Sequence, residues 1–156
     1  MNPNMIYQLL GGAQTLDRPL RSYGDLIHLS ERGIPKSGVN RLVRTICGAE
    51  DVATNIEDSV RLRPLDEVVV RNLIVPDATY RRNELFRQAT AERVIRYADL
   101  FSKAKAVIGI EESAREFLAS PHLELGDRSP LQAARNAIGA RAVEDILERA
   151  AHGFPV

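Results

Sequence analysis

Residues that build disulfides, metal centres and redox sites are scarce in this chain. Among its 156 residues there are one cysteine, three histidines and no tryptophan. Cys47 has no partner for an internal disulfide and follows Ile46 on the apolar face of a predicted helix, so we expect a small buried residue. His28, His122 and His152 are far apart along the sequence, and no histidine or cysteine pair has the spacing of metal ligands. The sequence therefore predicts neither a metal nor a cofactor.

Sequence signatures of catalysis and of membrane insertion are missing as well. There is no glycine-rich phosphate loop and no Gly-x-Ser-x-Gly elbow. Asp25 with Glu31, and Glu111 with Glu112, are carboxylate pairs of the kind that solvated helix faces commonly carry. No uncharged apolar run reaches about 18 residues, and the N-terminus lacks the basic and apolar regions of a signal peptide. We expect a protein that is not an enzyme and that stays soluble in the cytoplasm.

Helical periodicity dominates the first third of the sequence. Apolar residues make up 44% of the chain, which is enough for a compact core. Short helices are predicted around Met5–Leu10 and Leu26–Leu29, and a third should begin at Pro35. The glycines expected to end these three helices are Gly11-Gly12, Gly33 and Gly48.

The helical pattern weakens after the third helix and then returns. Residues 51–63 indicate a brief extended piece or a linker, because Val60 and Leu62 alternate with arginines. A long helix is predicted from Ala91 to about Ile108, with Thr90 as its N-cap.

Between residues 64 and 86, two short helices joined by a tight connector are predicted. The apolar positions of the first are Leu65, Val68, Val69 and Leu73, and Pro76 begins the second. This is the layout of a helix-turn-helix unit, whose second helix enters the major groove of DNA. The candidate DNA contacts are Thr79, Tyr80, Arg81 and Arg82, with Arg87 on a flanking phosphate.

Two features of this segment depart from the usual unit. Ile74 occupies the turn position where glycine is common, and a β-branched residue disfavours positive φ, so the turn is built differently or is absent. Asp77, near the start of the second helix, would repel phosphate. A helical scaffold used for self-association is therefore an alternative to DNA binding, and Val68–Val70 as a strand is another.

Residues 111–156 contain the punctuation of a complete small helical module. Ser129 is a good N-cap, Pro130 suits the first helical position, and Gln132 completes a capping box. We expect Gly139 to end this short helix and the last helix to begin near Ala140. The apolar stripe of that last helix is formed by Val143, Ile146, Leu147 and Ala150.

Gly153 is a natural residue to end the last helix, which leaves Phe154-Pro155-Val156 as an apolar tail. Such a tail either enters the pocket of a partner or folds back on its own core.

An ordered set of landmarks runs through the same segment. They are an aromatic-Leu pair, a proline-containing connector, and then Leu125, Gly126, Pro130, Leu131, Gly139, Val143, Leu147 and Gly153. This pattern resembles the toxin-binding domain of the Xre/MbcA/ParS antitoxins, closely over residues 111–156 and loosely over 62–156.

The resemblance implies the antitoxin of a type II toxin–antitoxin pair. In that family the C-terminal module blocks the active-site cleft of a RES-domain toxin, which consumes NAD or transfers ADP-ribose from it. Such antitoxins often repress their own operon. A stand-alone helix-turn-helix transcriptional regulator without a toxin partner is the alternative.

Charge is distributed unevenly although the formal net charge is zero. Residues 1–105 carry 16 Lys and Arg against 13 Asp and Glu, whereas residues 106–156 carry 5 against 8. A cleft that binds a pyrophosphate should be basic, so an acidic module suits it. The predicted toxin contacts are Glu144, Asp145 and Glu148 as anions, Phe154, Pro155 and Val156 as apolar anchors, and Arg128, Arg141 and His152 beside them.

We predict an all-α protein in three parts. Residues 1–60 form a helical N-terminal extension that dimerises, residues 61–109 the helix-turn-helix-like segment with the long connecting helix, and residues 110–156 the toxin-binding domain. The predicted partners are a cognate RES-domain toxin, a second copy of the chain within a hetero-oligomer, and operator DNA.

Overall fold

Helices account for most of the backbone in the computed structural model, which describes residues 1–48 and 65–153. The helices are α1 (Pro3–Leu9), α2 (Tyr23–Arg32), α3 (Lys36–Cys47), α4 (Glu67–Ile74), α5 (Asp77–Arg82), α6 (Ala89–Ile108), α7 (Glu111–Ala119), α8 (Pro130–Ala133) and α9 (Ala137–Ala151). Two strands of two residues each, β1 (Ile34–Pro35) and β2 (Leu85–Phe86), pair antiparallel. The predicted all-α fold class is confirmed. The extended piece or linker predicted at residues 51–63 lies outside the described residues.

The glycines predicted to end the first three helices do so. Gly11, Gly33 and Gly48 follow α1, α2 and α3 with φ angles of 97°, 107° and 75°, values that favour glycine because it has no Cβ. Ile6 of α1 and Leu26 of α2 are buried, and so are the four apolar residues at helical spacing in α3, namely Val39, Leu42, Val43 and Ile46. Cys47 is also buried, as predicted, and its burial raises the pKa of its thiol to about 12.

Helix α6 forms the centre of the molecule. It packs against α1, α2, α3 and α4 on the one hand and against α7 and α9 on the other. Six consecutive residues in its middle, 97–102, are buried, so this part of the helix is covered around its whole circumference.

The predicted start of α6 is wrong by two residues. The helix begins at Ala89, so Thr90 lies inside its first turn and Gln88 is the residue before the helix. Gln88 has a φ of 49°, and its N–H donates a hydrogen bond of 2.7 Å to the carbonyl oxygen of Ser30 in α2. This contact to α2, which sequence periodicity cannot reveal, sets where the helix starts.

Helices α4 and α5 form as predicted, but the buried face of α4 is not the predicted one. Val68 and Val69 are more than half exposed, whereas Val70 and Ile74 are buried. The connector needs no positive φ, because Val75 and Pro76 are both extended. The turn is therefore built differently from one that uses glycine, and the alternative of a strand at Val68–Val70 is wrong.

The last two helices meet more tightly than the sequence predicts. Helix α8 ends at Ala133 and α9 begins at Ala137, so Gly139 lies in the first turn of α9 and does not end α8. A Cβ atom on Gly139 would lie 2.0 Å from the carbonyl oxygen of Ala133. The glycine is needed here for close approach of two backbones.

Within the part of the chain that the structure describes, no helix has the length and apolar composition needed to cross a bilayer.

Candidate functional site

An open groove runs along the solvent-facing side of α9. Asp145, Glu148 and Arg149 line it from α9, His152 lines it directly after that helix, and Glu124 lines it from the connector between α7 and α8. Three of the residues predicted to contact a partner, namely Asp145, Glu148 and His152, are thus brought together on one surface. The lining holds three carboxylates and one arginine, and Arg141 lies beside Asp145, so this surface has a small excess of negative charge.

The sequence of α9 explains why this face of the helix is exposed to solvent. Asn136 caps the helix, because its Oδ1 accepts a hydrogen bond of 2.8 Å from the N–H of Gly139. Val143, Ile146 and Leu147 are buried, and α9 packs against α6. The predicted apolar stripe is confirmed at these three positions, while Ala150 is partly exposed.

The connector is held in place by local hydrogen bonds and one ion pair. Ser129 and Gln132 form the predicted capping box at the start of α8. The N–H of Glu124 donates to Nδ1 of His122 at 3.3 Å, and Leu125 is buried. Nη2 of Arg149 lies 2.6 Å from Oε2 of Glu124, so the connector is tied directly to α9.

Glu144 faces away from the groove. Its Oε1 lies 2.7 Å from Nζ of Lys103, which also lies 2.8 Å from Oδ2 of the buried Asp99. Burial alone would lower the pKa of Lys103, but the hydrogen bonds to Asp99 and Glu144 have the larger combined effect. The pKa of Lys103 is therefore raised above its usual value. Of the three predicted anions, Glu144 therefore neutralises an internal cation, whereas Asp145 and Glu148 border the groove.

The two predicted arginines lie near the groove in different ways. Arg141 precedes Asp145 by one helical turn, and its Nε lies 3.2 Å from Oδ1 of that carboxylate, with both side chains more than half exposed. Exposed pairs of this kind contribute little stability and exchange partners readily. Arg128 is exposed on the connector, where its carbonyl oxygen accepts from the N–H of His122 at 3.0 Å. Phe154, Pro155 and Val156 lie outside the described residues.

The predicted DNA contacts are distributed over α5 and its flank. Tyr80 is partly buried, and its hydroxyl donates a hydrogen bond of 2.6 Å to Oδ1 of Asn40 in α3. Nε of Arg81 lies 2.8 Å from Oδ2 of Asp77, and Arg82 is exposed. Nε of Arg87 donates to the carbonyl oxygen of Arg32 at the end of α2.

Thr79 and Tyr80 also have local structural roles. The carbonyl oxygen of Thr79 accepts from the side-chain amide of Asn83 at 2.8 Å. The guanidinium of Arg71 and the ammonium of Lys36 lie 4.4 Å and 4.8 Å from the centre of the Tyr80 ring. Tyr80 thus joins α5 to α3 and α4.

Asp25 and Glu111, one from each carboxylate pair noted in the sequence, have structural partners. Asp25 accepts hydrogen bonds from the backbone N–H groups of Arg21 and Ser22 and from the Ser22 hydroxyl, which together hold the pKa of its carboxyl below the usual value. Glu111 pairs with Lys105 and Arg115. Among residues 1–48 and 65–153, no cluster of His, Cys, Asp and Glu could hold a metal ion.

Sequence reasoning missed Glu124 and Arg149 as parts of this surface. Arg149 follows Asp145 by four positions, so helical spacing could have placed it on the same face. The contribution of Glu124 depends on how the connector folds against α9, and no local pattern contains that information.

Comparison with known protein families locates the groove within a recognised domain. Residues 103–153 match the model of the antitoxin Xre/MbcA/ParS C-terminal toxin-binding domain, which confirms the resemblance predicted from the sequence. The match begins inside α6, ends at Gly153 and includes every residue that lines the groove. A search of curated proteins finds no match to the chain. The domain match supports an antitoxin role for the protein.

Proposed function

We propose that this chain is the antitoxin of a type II toxin–antitoxin pair, because its C-terminal segment matches the Xre/MbcA/ParS toxin-binding domain. Its partner is a RES-domain toxin that hydrolyses NAD or transfers ADP-ribose from it. The chain acts by binding, with its C-terminal module covering the active-site cleft of the toxin.

The observation that carries this proposal is the acidic groove face of α9 inside the matched domain. Asp145 and Glu148 are exposed there, and neither carboxylate is committed to an internal cation as Glu144 is. A cleft that binds NAD must attract a pyrophosphate and should therefore be basic. Opposite charge on the two surfaces favours encounter and fixes orientation.

Charge reversal tests this surface. The double variant Asp145→Lys with Glu148→Lys should capture the toxin at least about tenfold more weakly, since like charges facing each other across an interface are strongly unfavourable. The measurement is the dissociation constant of the purified antitoxin for the toxin at two salt concentrations.

Glu31→Lys is the matched control for this variant. Glu31 is an exposed carboxylate of α2 outside the matched domain, so its reversal should leave toxin binding unchanged. Equal binding by the control and by the groove variant would contradict the proposed site.

The apolar residues Phe154, Pro155 and Val156 add anchoring to this surface in our proposal. Deleting residues 153–156 should abolish protection in a toxin co-expression growth assay, because the anchors are lost, while the thermal unfolding of the remaining chain stays the same. Full protection by the shortened protein would show that the tail is dispensable.

Repression of the protein's own operon is a second candidate function. Two short helices joined by an extended Val75-Pro76 connector, with exposed Arg81 and Arg82 on the second, favour it. Arg81→Ala with Arg82→Ala should weaken binding to operator DNA in a gel-shift assay, while toxin capture stays the same. If the protein were a stand-alone regulator, the unsubstituted chain would bind DNA but capture no toxin.

A further inference from the structure

Two large apolar side chains in the elements that line the groove are almost fully exposed. Ile138 is 85% exposed and Leu123 is 83% exposed, the highest values for large apolar residues in the described ranges 1–48 and 65–153. Leu123 directly precedes Glu124, and Ile138 precedes Ala142 by one helical turn. Glu124 and Ala142 both line the groove, so each exposed side chain is a near neighbour along its element of a residue that lines it.

The fold itself does not use either side chain. In the connector it is Leu125 that is buried, and Leu123 contributes nothing to the core. In the first turns of α9 the close contact with Ala133 is made by Gly139, and Ala140 is the buried residue. Ile138 therefore lies on the solvent side of a backbone segment that is already fixed by its neighbours.

Isolated exposed apolar residues are common on protein surfaces, but several on one face indicate an interaction site. Leu123 and Ile138 come from separate elements that both carry groove-lining residues, and the connector with its buried Leu125 packs against α9. The two side chains are therefore presented in a fixed arrangement before any partner binds, which lowers the entropy lost on association.

We propose that Leu123 and Ile138 are apolar anchors of the toxin interface in addition to residues 154–156, with Asp145 and Glu148 as the charged groups of the same interface. This inference rests on the proposed antitoxin function and deepens it. The partner surface it requires has apolar depressions next to basic side chains. Binding anchors of this type are usually central side chains that become fully desolvated, surrounded by polar residues that exclude water.

The charge of the groove favours a toxin over a second copy of the chain as the occupant. In a symmetric dimer the same patch faces itself, so the excess of carboxylates over arginines in the lining would be doubled across the interface. A basic partner removes that repulsion and gains complementary contacts.

Substitution by serine at the two positions tests the inference. Leu123→Ser and Ile138→Ser should each weaken toxin binding at least about tenfold, the change expected for an anchor side chain. Thermal unfolding should be unchanged, since both side chains are exposed in the free protein. The dissociation constant for the purified toxin and the unfolding midpoint are the two measurements.

Ile27→Ser is the matched control. Ile27 is 60% exposed on α2, outside the matched domain, so its substitution should leave toxin binding unchanged. Light scattering on all variants reports the oligomeric state.

The outcomes separate the inference from the function on which it rests. Normal toxin binding by both groove variants, with the unsubstituted protein also binding, would overturn the anchors and leave the antitoxin function standing. A change of oligomeric state without a change in toxin binding would assign the patch to a second copy and overturn the proposal. Failure of the unsubstituted protein to bind any toxin would overturn both.

Discussion

Gly139 occupies the point of closest approach between α8 and α9. An added Cβ would lie 2.0 Å from the carbonyl oxygen of Ala133, and that atom belongs to backbone that cannot move alone. Gly139→Ala should therefore lower the free energy of unfolding by about 1–3 kcal/mol, the usual cost of overpacking. Chemical denaturation of the purified chain measures it.

Gly24→Ala is the control for that experiment. Gly24 also lies in the first turn of a helix, but a Cβ there would meet only the Ser22 hydroxyl at 3.5 Å. Alanine favours helix more than glycine does, so this variant should be as stable as the original protein or slightly more stable. Equal effects of the two substitutions on the free energy of unfolding would show that the contact with Ala133 does not determine the cost of Gly139→Ala.

Asp25 makes the start of α2 sensitive to acid. Its folded-state pKa is lowered, so the stability it contributes is complete above the usual pKa of an aspartate and is lost as pH falls through the folded value. The stability difference between the original protein and Asp25→Ala should be largest near neutral pH and shrink under acid. Denaturation at a series of pH values checks this, and a difference that grows on acidification would contradict it.

These single residues also mark where the sequence is informative. Gly11, Gly33 and Gly48 could be assigned correctly because the end of a helix is a local property. Gly139 was misassigned because its role depends on a neighbouring backbone. The charges at Asp145 and Glu148 could be placed on one helix face by spacing alone, whereas the exposure of Leu123 depends on the folded connector.

At the scale of elements, Tyr97 connects the central helix to α8 within the matched domain. Its buried hydroxyl donates a hydrogen bond of 2.7 Å to the carbonyl oxygen of Leu131 in α8. Tyr97→Phe would leave that carbonyl without its donor, so we expect a loss of about 1–3 kcal/mol in the free energy of unfolding. Denaturant titration gives this value directly.

Tyr23→Phe is the comparison for Tyr97→Phe. The hydroxyl of Tyr23 donates at 3.3 Å from a side chain that is 63% exposed, where water can replace the bond. Its loss should change stability by less than about 0.5 kcal/mol. Similar costs for the two variants would contradict a structural role for the buried bond.

The helices themselves were predictable because periodicity and capping residues are local signals. Which side of a short helix is buried was less predictable. Helix α4 has three consecutive valines, and only packing against its neighbours decides that Val70 is buried while Val68 and Val69 are exposed.

At the scale of the whole molecule, α6 is the helix against which most of the other helices pack. The helices before it and the helices after it both pack against it, and the domain match begins within it at Lys103. The predicted division at residues 60 and 109 stays a proposal, as does dimerisation through residues 1–60. The sequence could not reveal that α6 packs against both the preceding and the following helices. A helix that is buried all round has no single apolar stripe, so its sequence looks only weakly amphipathic.

The most direct test of the central claim is copurification of the tagged chain with the product of the adjacent gene, followed by an NAD-consumption assay on that product. The proposed function predicts stable capture and suppressed loss of NAD when this chain is present. Absence of capture, or NAD loss that proceeds unchanged in the complex, would contradict an antitoxin that covers the active site.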